Sequence, residues 1–148
     1  MSSSPFILLV EDCEDAVTAL QMALETHYKC PVRYAQDASE AFKILTEHGA
    51  PVAVITDLHL PGVDGFELIE MVRRYDSCAR TPILVLSADT HPRTPDRVLQ
   101  LGADAFFEKP CSPTGICLQL ERILHAKNGS GSSSQLFNPA GPNTGSNQ

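Results

Sequence analysis

Apolar residues along this chain alternate between short unbroken runs and longer stretches with helical spacing. Phe6–Val10 is a continuous apolar run, the form expected of a strand covered on both faces. Glu14–Thr26 then places Val17, Leu20 and Leu24 on one side of a helix. Val32–Ala35 is a weaker second strand, and the helix expected over Ser39–Glu47 turns Ala41, Ile44 and Leu45 one way. Val52–Thr56 is the third strand. After Pro61 and Gly62, a helix over Asp64–Tyr75 carries Phe66, Leu68, Ile69 and Val72 as its apolar set.

Ile83–Leu86 reads as the fourth strand. Thr94 then stands as an N-cap with Pro95 at the first helical position, and Gly102 marks the stop. With Pro92 and Pro95 so close together, Thr90 to Arg93 is expected to be irregular. Ala105–Phe107 is the fifth strand. Ser112–Pro113 opens a last helix by the same cap-then-proline device, with Ile116, Leu120, Ile123 and Leu124 on its buried face. Strands alternating with helices predict an α/β fold built on a parallel sheet.

From about Lys127 the composition changes. Asn128–Gln148 is mostly Gly, Ser, Asn and Pro, with too little apolar surface to offset its ordering entropy. The expected organisation is one domain over 1–126 and a disordered tail over 127–148, too short and polar for a second domain. Leu136 and Phe137 are weak grounds for a docking motif within that tail.

Composition narrows the function. Hydrophobic residues are 43% and charged residues 20% of 148, ordinary for a globular chain able to bury a core. A net charge of −7 without a basic run weighs against direct nucleic-acid binding. No apolar stretch approaches the roughly 20 residues of a membrane span. Pro5–Val10 is too short for a signal peptide, so a cytoplasmic location away from membranes is expected. The five cysteines, Cys13, Cys30, Cys78, Cys111 and Cys117, show no CxxC spacing and read as reduced thiols. A redox role for Cys13 or Cys111 is a lesser alternative.

The polar residues that end the apolar runs carry the chemistry. The first run ends in Glu11 and Asp12, the third in Asp57, the fourth in Ser87, and the fifth in Glu108, Lys109 and Pro110. In an open parallel sheet these ends share one edge, and the ligand crevice lies outside it. Asp57 alone would more often cap a turn. The turn-rich segment from Leu58 to Gly65 instead leaves its carboxylate at the crevice, where it can attack phosphorus to form an acyl phosphate.

Such a reaction gathers negative charge, and Mg²⁺ (or Mn²⁺) suits a site of a few carboxylates with water and phosphate oxygens. Glu11 and Asp12 in isolation fit a helix cap equally well; beside Asp57 they favour metal, with Asp57 supplying a further oxygen. Lys109 can offset charge on a transferring phosphoryl group. The following Pro110 argues against a merely solvated lysine, because a Lys–Pro pair between strand and helix suggests a fixed peptide bond, with cis as one option. Ser87 is either a turn residue or a hydroxyl donor to a phosphate oxygen.

Together these segments resemble the receiver domain of bacterial two-component response regulators, of the stand-alone type. The resemblance rests on Ile7-Leu8-Leu9-Val10-Glu11-Asp12, on Asp57 with Leu60-Pro61-Gly62 and Asp64-Gly65, on Ser87-Ala88, and on Gly102-Ala103-Asp104 leading to Phe106, Lys109 and Pro110. It extends from about Phe6 to His125. It implies a flavodoxin-like doubly wound (βα)5 fold with sheet order 2-1-3-4-5. Asp57 would be the phosphoacceptor. Asp12 would be the main metal ligand, Glu11 would act mostly through water, and His59 would offer its backbone carbonyl. Ser87 and Lys109 would sense the phosphate, and Phe106 would be the aromatic switch.

The implied partners are a sensor histidine kinase and a downstream protein, or a second copy of the chain, at the face of the fourth helix, fifth strand and fifth helix. The protein would catalyse its own phosphorylation and dephosphorylation rather than act as an enzyme on others. Two departures stand out. Phe106 lacks the phenolic hydroxyl of the tyrosine found in many members, and His59 is expected to alter the access of water to the acyl phosphate. The alternatives are a receiver fragment of a larger regulator with a DNA-binding or enzymatic output domain, and a phosphorelay shuttle. A haloacid-dehalogenase-like phosphatase expects a carboxylate two residues after its nucleophile, where this chain has His59. A purely structural pseudo-receiver is disfavoured by the full set of site residues.

Overall fold

The computed structural model describes residues 5–62 and 64–128. Strands and helices alternate: β1 (Ile7–Val10), α1 (Glu14–Tyr28), β2 (Val32–Ala35), α2 (Ala38–His48), β3 (Ala53–Asp57), α3 (Gly65–Arg74), β4 (Ile83–Ser87), α4 (Thr94–Leu101), β5 (Ala105–Glu108) and α5 (Pro113–Asn128). A single 3₁₀ turn, Asp76–Cys78, lies between α3 and β4. All strand pairs are parallel, in the order β2-β1-β3-β4-β5. That is the doubly wound topology expected from the sequence.

Successive strand side chains point to opposite faces, so each continuous run feeds two cores. Leu8, Val10, Val54, Ile83 and Val85 pack under α2, α3 and α4 through Ala41, Leu45, Leu68, Ile69, Val72 and Val98. Ile7, Leu9, Ile55, Leu84 and Leu86 pack under α1 and α5 through Val17, Leu20, Leu24, Ile116 and Leu120. Register aligns the strand ends: Val10 stands beside Thr56, Asp57 beside Leu86, and Ser87 beside Glu108. The polar residues that follow are therefore delivered to one edge.

Local capping accounts for most element boundaries. Asp37 caps α2 by accepting from the Glu40 amide at 2.9 Å, and Glu40 accepts from the Gln36 amide at 2.8 Å. Asp64 caps α3 by accepting from the Glu67 amide. Ser112 accepts from the Gly115 amide at the start of α5. Gly102 ends α4 at φ 119°, a left-handed conformation that favours glycine.

Thr94 corrects one expectation. It is the first residue of α4 rather than its cap; Arg93 holds the cap position without a side-chain bond, and Pro95 is second. The Thr94 side chain is buried within the first turn of the helix rather than standing ahead of it. Thr90 to Arg93 contains neither helix nor strand, as the two prolines led us to expect. α5 runs to Asn128, and Lys127 Nζ bonds the Arg80 carbonyl at 2.9 Å and Asp104 Oδ1 at 3.2 Å. The expected tail from residue 129 onward, Leu136 and Phe137 included, lies outside the described residues. Among the described residues, no helix is long and apolar enough to cross a membrane.

Candidate functional site

Four of the five strands bring their polar ends to the crevice. Glu11 follows β1 and is only 1% exposed, whereas its neighbour Asp12 is exposed. Asp57 closes β3 and Ser87 closes β4, both buried. Lys109 follows β5, with a cis peptide bond to Pro110, and Glu108 is exposed. Glu11, Asp12 and Asp57 each offer an oxygen within 4.8 Å of the others'.

Lys109 Nζ bridges two of these carboxylates, at 2.7 Å from Asp57 Oδ2 and 3.0 Å from Glu11 Oε1. The other Asp57 oxygen accepts from the His59 amide at 3.0 Å, and Glu11 Oε2 accepts from the Cys13 amide at 3.2 Å. Both acidic side chains are thus held from two sides. Burial raises the Glu11 pKa, with the Asp57 charge adding to that rise, and the Lys109 contacts only partly oppose it. For Lys109, burial works to lower the pKa, but hydrogen bonds and charge from Asp57 and Glu11 win and raise it. Both values rise: one ammonium serves two carboxylates, and Glu11, the more sealed from water, is raised by burial in spite of it. Lys109 is firmly cationic at neutral pH.

Ser87 is locked on its main chain, where its carbonyl accepts from the Lys109 amide at 2.8 Å. Its Oγ accepts from the Asp89 amide at 2.9 Å. Phe106 is half-buried on β5 in register with Val85, packed against the core under α2, α3 and α4. The His59 side chain is exposed beside the crevice.

The structure adds features that the sequence left unread. The β3–α3 loop returns so tightly that a Cβ on Gly65 would meet Leu58 Cα at 2.5 Å and the Asp57 carbonyl at 2.7 Å. The Gly65 amide fixes that return by donating to the Leu58 carbonyl at 2.8 Å. A cavity of about 540 Å³ opens beside the site, lined by Glu11, Cys13, Leu20, Lys109, Pro110 and Cys111 among others. All five cysteines are free thiols.

The response regulator receiver domain family matches residues 7–121, which is most of the chain. This chain belongs to that family. Among its relatives, the receiver is 34% identical over 132 residues to the alkaline phosphatase synthesis transcriptional regulatory protein PhoP of Bacillus subtilis. That match covers 89% of this chain and 53% of PhoP. It is 32% identical over 120 residues to the transcriptional regulatory protein AfsQ1 of Streptomyces coelicolor, covering 81% and 51%. The receiver therefore spans about half the length of these relatives. Among solved structures, a putative response regulator of Chloroflexus aurantiacus superposes with a TM-score of 0.74 at 29% identity, covering 82% of this chain and 98% of that one. Chemotaxis response regulator CheY4 of Vibrio cholerae gives 0.73 at 26%, covering 82% and 99%.

Receivers of this family bind Mg²⁺, and the donor set here fits it. Glu11, Asp12 and Asp57 provide hard oxygen donors and no sulfur or imidazole, the chemistry that suits Mg²⁺ or Mn²⁺ over softer ions.

Proposed function

We propose that this receiver accepts a phosphoryl group on Asp57 from a sensor histidine kinase, or from a phosphotransfer protein, in a Mg²⁺-dependent (or Mn²⁺-dependent) reaction in the cytoplasm. The observation that carries the reading is the Asp57 carboxylate, 6% exposed and held at 2.7 Å by Lys109 within an acidic trio.

An Asp57 oxygen attacks the phosphorus of a phosphohistidine; the new P–O bond forms as the P–N bond breaks, and the imidazole nitrogen leaves. Asp12 and Asp57 would hold the divalent cation, with Glu11 acting through water and the His59 carbonyl as a further oxygen, and the cation supplies charge neutralisation at the phosphoryl oxygens. The His59 amide keeps the carboxylate oriented by its bond to Oδ1. Lys109 already faces the oxygen that becomes phosphorylated or its twin, so its ammonium meets the phosphoryl group without reorganisation. The Ser87 hydroxyl donates to a phosphoryl oxygen once the acyl phosphate exists. Hydrolysis by water reaching the phosphorus past the exposed His59 returns Asp57 to its carboxylate.

Output follows from Ser87 and Phe106. As the β4 end is drawn toward the phosphate, space opens beside β4, and the half-buried Phe106 turns into it. Full burial of the ring is worth roughly 1–3 kcal/mol, enough to bias a two-state equilibrium by tenfold or more. The α4–β5–α5 face then presents a changed surface to a downstream protein or to a second copy of the chain. In this reading the receiver signals on its own through protein contacts. The second reading, a receiver attached to an output region, is favoured by the greater length of PhoP and AfsQ1, both transcriptional regulators by name.

The test is uptake of label from [³²P]acetyl phosphate with Mg²⁺. Wild type should gain an acid-labile label and Asp57→Asn, a near-isosteric change, should gain none while keeping its circular dichroism. Acid-labile label on the folded Asn variant would remove Asp57 from the role.

A further inference from the structure

The loop between β4 and α4 is tied by a repeating device. Ser87 Oγ accepts from the Asp89 amide at 2.9 Å. Asp89 Oδ1 accepts from the His91 amide at 2.7 Å, and His91 Nδ1 accepts from the Arg93 amide at 3.1 Å. Each side chain thus grips the amide two residues on, three times in succession. The last link reaches the α4 cap, where the Arg93 carbonyl accepts from the Arg97 amide at 3.0 Å. One further bond fastens the series to the helix: the Thr94 amide donates to the His91 carbonyl at 3.1 Å. Residues 88–93 are exposed or half-exposed, so core packing does not hold this loop.

We propose that Asp89 and His91 are positioning residues that transmit the movement of Ser87 to the first turn of α4, an inference that rests on the phosphorylation of Asp57 proposed above. The argument turns on what a serine hydroxyl can do. It carries one donor hydrogen and two acceptor lone pairs. Donation to a phosphoryl oxygen therefore leaves the bond from the Asp89 amide intact, and Asp89 travels with Ser87 instead of being released. The Asp89 carboxylate is held in its charged form chiefly by the His91 amide, which lowers its pKa, and bonds to an ionised acceptor are stronger than neutral ones. It pulls the His91 amide with it, and with His91 the carbonyl that the Thr94 amide holds. His91 passes the displacement to Arg93. A loop linked only by packing would absorb a shift at Ser87 within its own freedom; a loop cross-tied at every second residue passes it on.

The experiment uses the full chain with Mg²⁺ and beryllofluoride, an acyl-phosphate mimic. ¹⁹F NMR reads occupancy at Asp57, and amide shifts of residues 94–101 read the response of α4. Asp89→Ala should fill with the mimic as wild type does, while the mimic-induced shifts over Thr94–Leu101 become about threefold smaller. Asp89→Asn keeps the Oδ1 acceptor and should restore most of the response. His91→Leu removes only the last acceptor, at an exposed position, and should also reduce it. Wild-type shifts over α4 in both Asp89→Ala and His91→Leu, at equal occupancy, would overturn the relay and leave these bonds as local turns. Failure of wild type itself to load the mimic would count against the phosphoacceptor reading instead, so the two failures are told apart.

Discussion

Lys109 Nζ lies 2.7 Å from Asp57 Oδ2, closer than its 3.0 Å contact with Glu11 Oε1. The ammonium comes from the end of β5 and the carboxylate from the end of β3, with β4 between them. Correct sheet order is therefore a condition for the contact. In this arrangement the lysine offsets part of the negative charge that a divalent cation would also offset.

Removing that ammonium should expose the competition. Lys109→Met leaves Glu11 and Asp57 buried without their counter-charge and should cost about 2 kcal/mol of stability in EDTA, below the range for a fully sealed pair because Lys109 is partly exposed. Mg²⁺ should then raise the unfolding midpoint of Lys109→Met more than that of wild type. Urea denaturation with EDTA and with Mg²⁺ measures both effects. An equal Mg²⁺ increment in the two proteins would separate the lysine from the acidic trio.

Glu11 gives a pH dependence with a definite sign. Burial raises its folded pKa above the ordinary glutamate value of 4.5, so the folded state holds the proton more tightly than the unfolded chain. Its contribution to stability is therefore largest below about 4.5 and declines as pH rises from there through the folded value. Glu11→Gln removes the titration. In EDTA, the stability of Glu11→Gln relative to wild type should climb as pH rises from about 4 through the raised folded value. Urea titrations at several pH values check this, and a relative stability that fell with pH would reverse the assigned cause.

Asp12 and Glu11 should also differ toward metal. Asp12 is exposed to incoming solvent ions, while Glu11 is sealed and committed to Lys109 and the Cys13 amide. Asp12→Asn should weaken Mg²⁺ binding more than Glu11→Gln in isothermal titration. Equal losses would mean that both carboxylates bind the ion directly.

Gly65 is a backbone requirement of the site. A methyl group there would sit 2.5 Å from Leu58 Cα and 2.7 Å from the Asp57 carbonyl, and neither is a flexible side-chain end. Gly65→Ala should cost about 1–3 kcal/mol and slow labelling by acetyl phosphate, because relief of the clash moves Asp57. Denaturation and labelling rates measure the two effects. Wild-type labelling in a destabilised variant would show that the loop yields away from the aspartate.

Much of this was legible in the sequence for identifiable reasons. Runs such as Ile7–Val10 and Ile83–Leu86 are apolar throughout because both sheet faces are covered, and their polar endings mark the crevice edge. Thr94 differs from its expected role because a threonine before a proline looks like a cap, whereas the helix begins one residue earlier than that pattern implies, with Arg93 at the cap and Thr94 buried in the first turn. The 3₁₀ turn at Asp76–Cys78 is too short to leave a periodic signal. Arg73 was silent for another reason. Its guanidinium bonds the carbonyls of Gly102, Cys78 and Thr81 and the Asp104 carboxylate, joining segments that no local pattern connects. The bridge from Lys109 to Glu11 spans 98 positions and likewise follows only from the assembled sheet.

The central claim is that Asp57 carries the phosphoryl group. Reduction of the acetyl phosphate-treated protein with borohydride converts an acyl-phosphorylated aspartate to homoserine, which peptide mass spectrometry places at a single residue. Homoserine should appear at position 57, only after phosphodonor and Mg²⁺ are both supplied. Homoserine at Asp12 or another aspartate, with position 57 unchanged, would contradict the account.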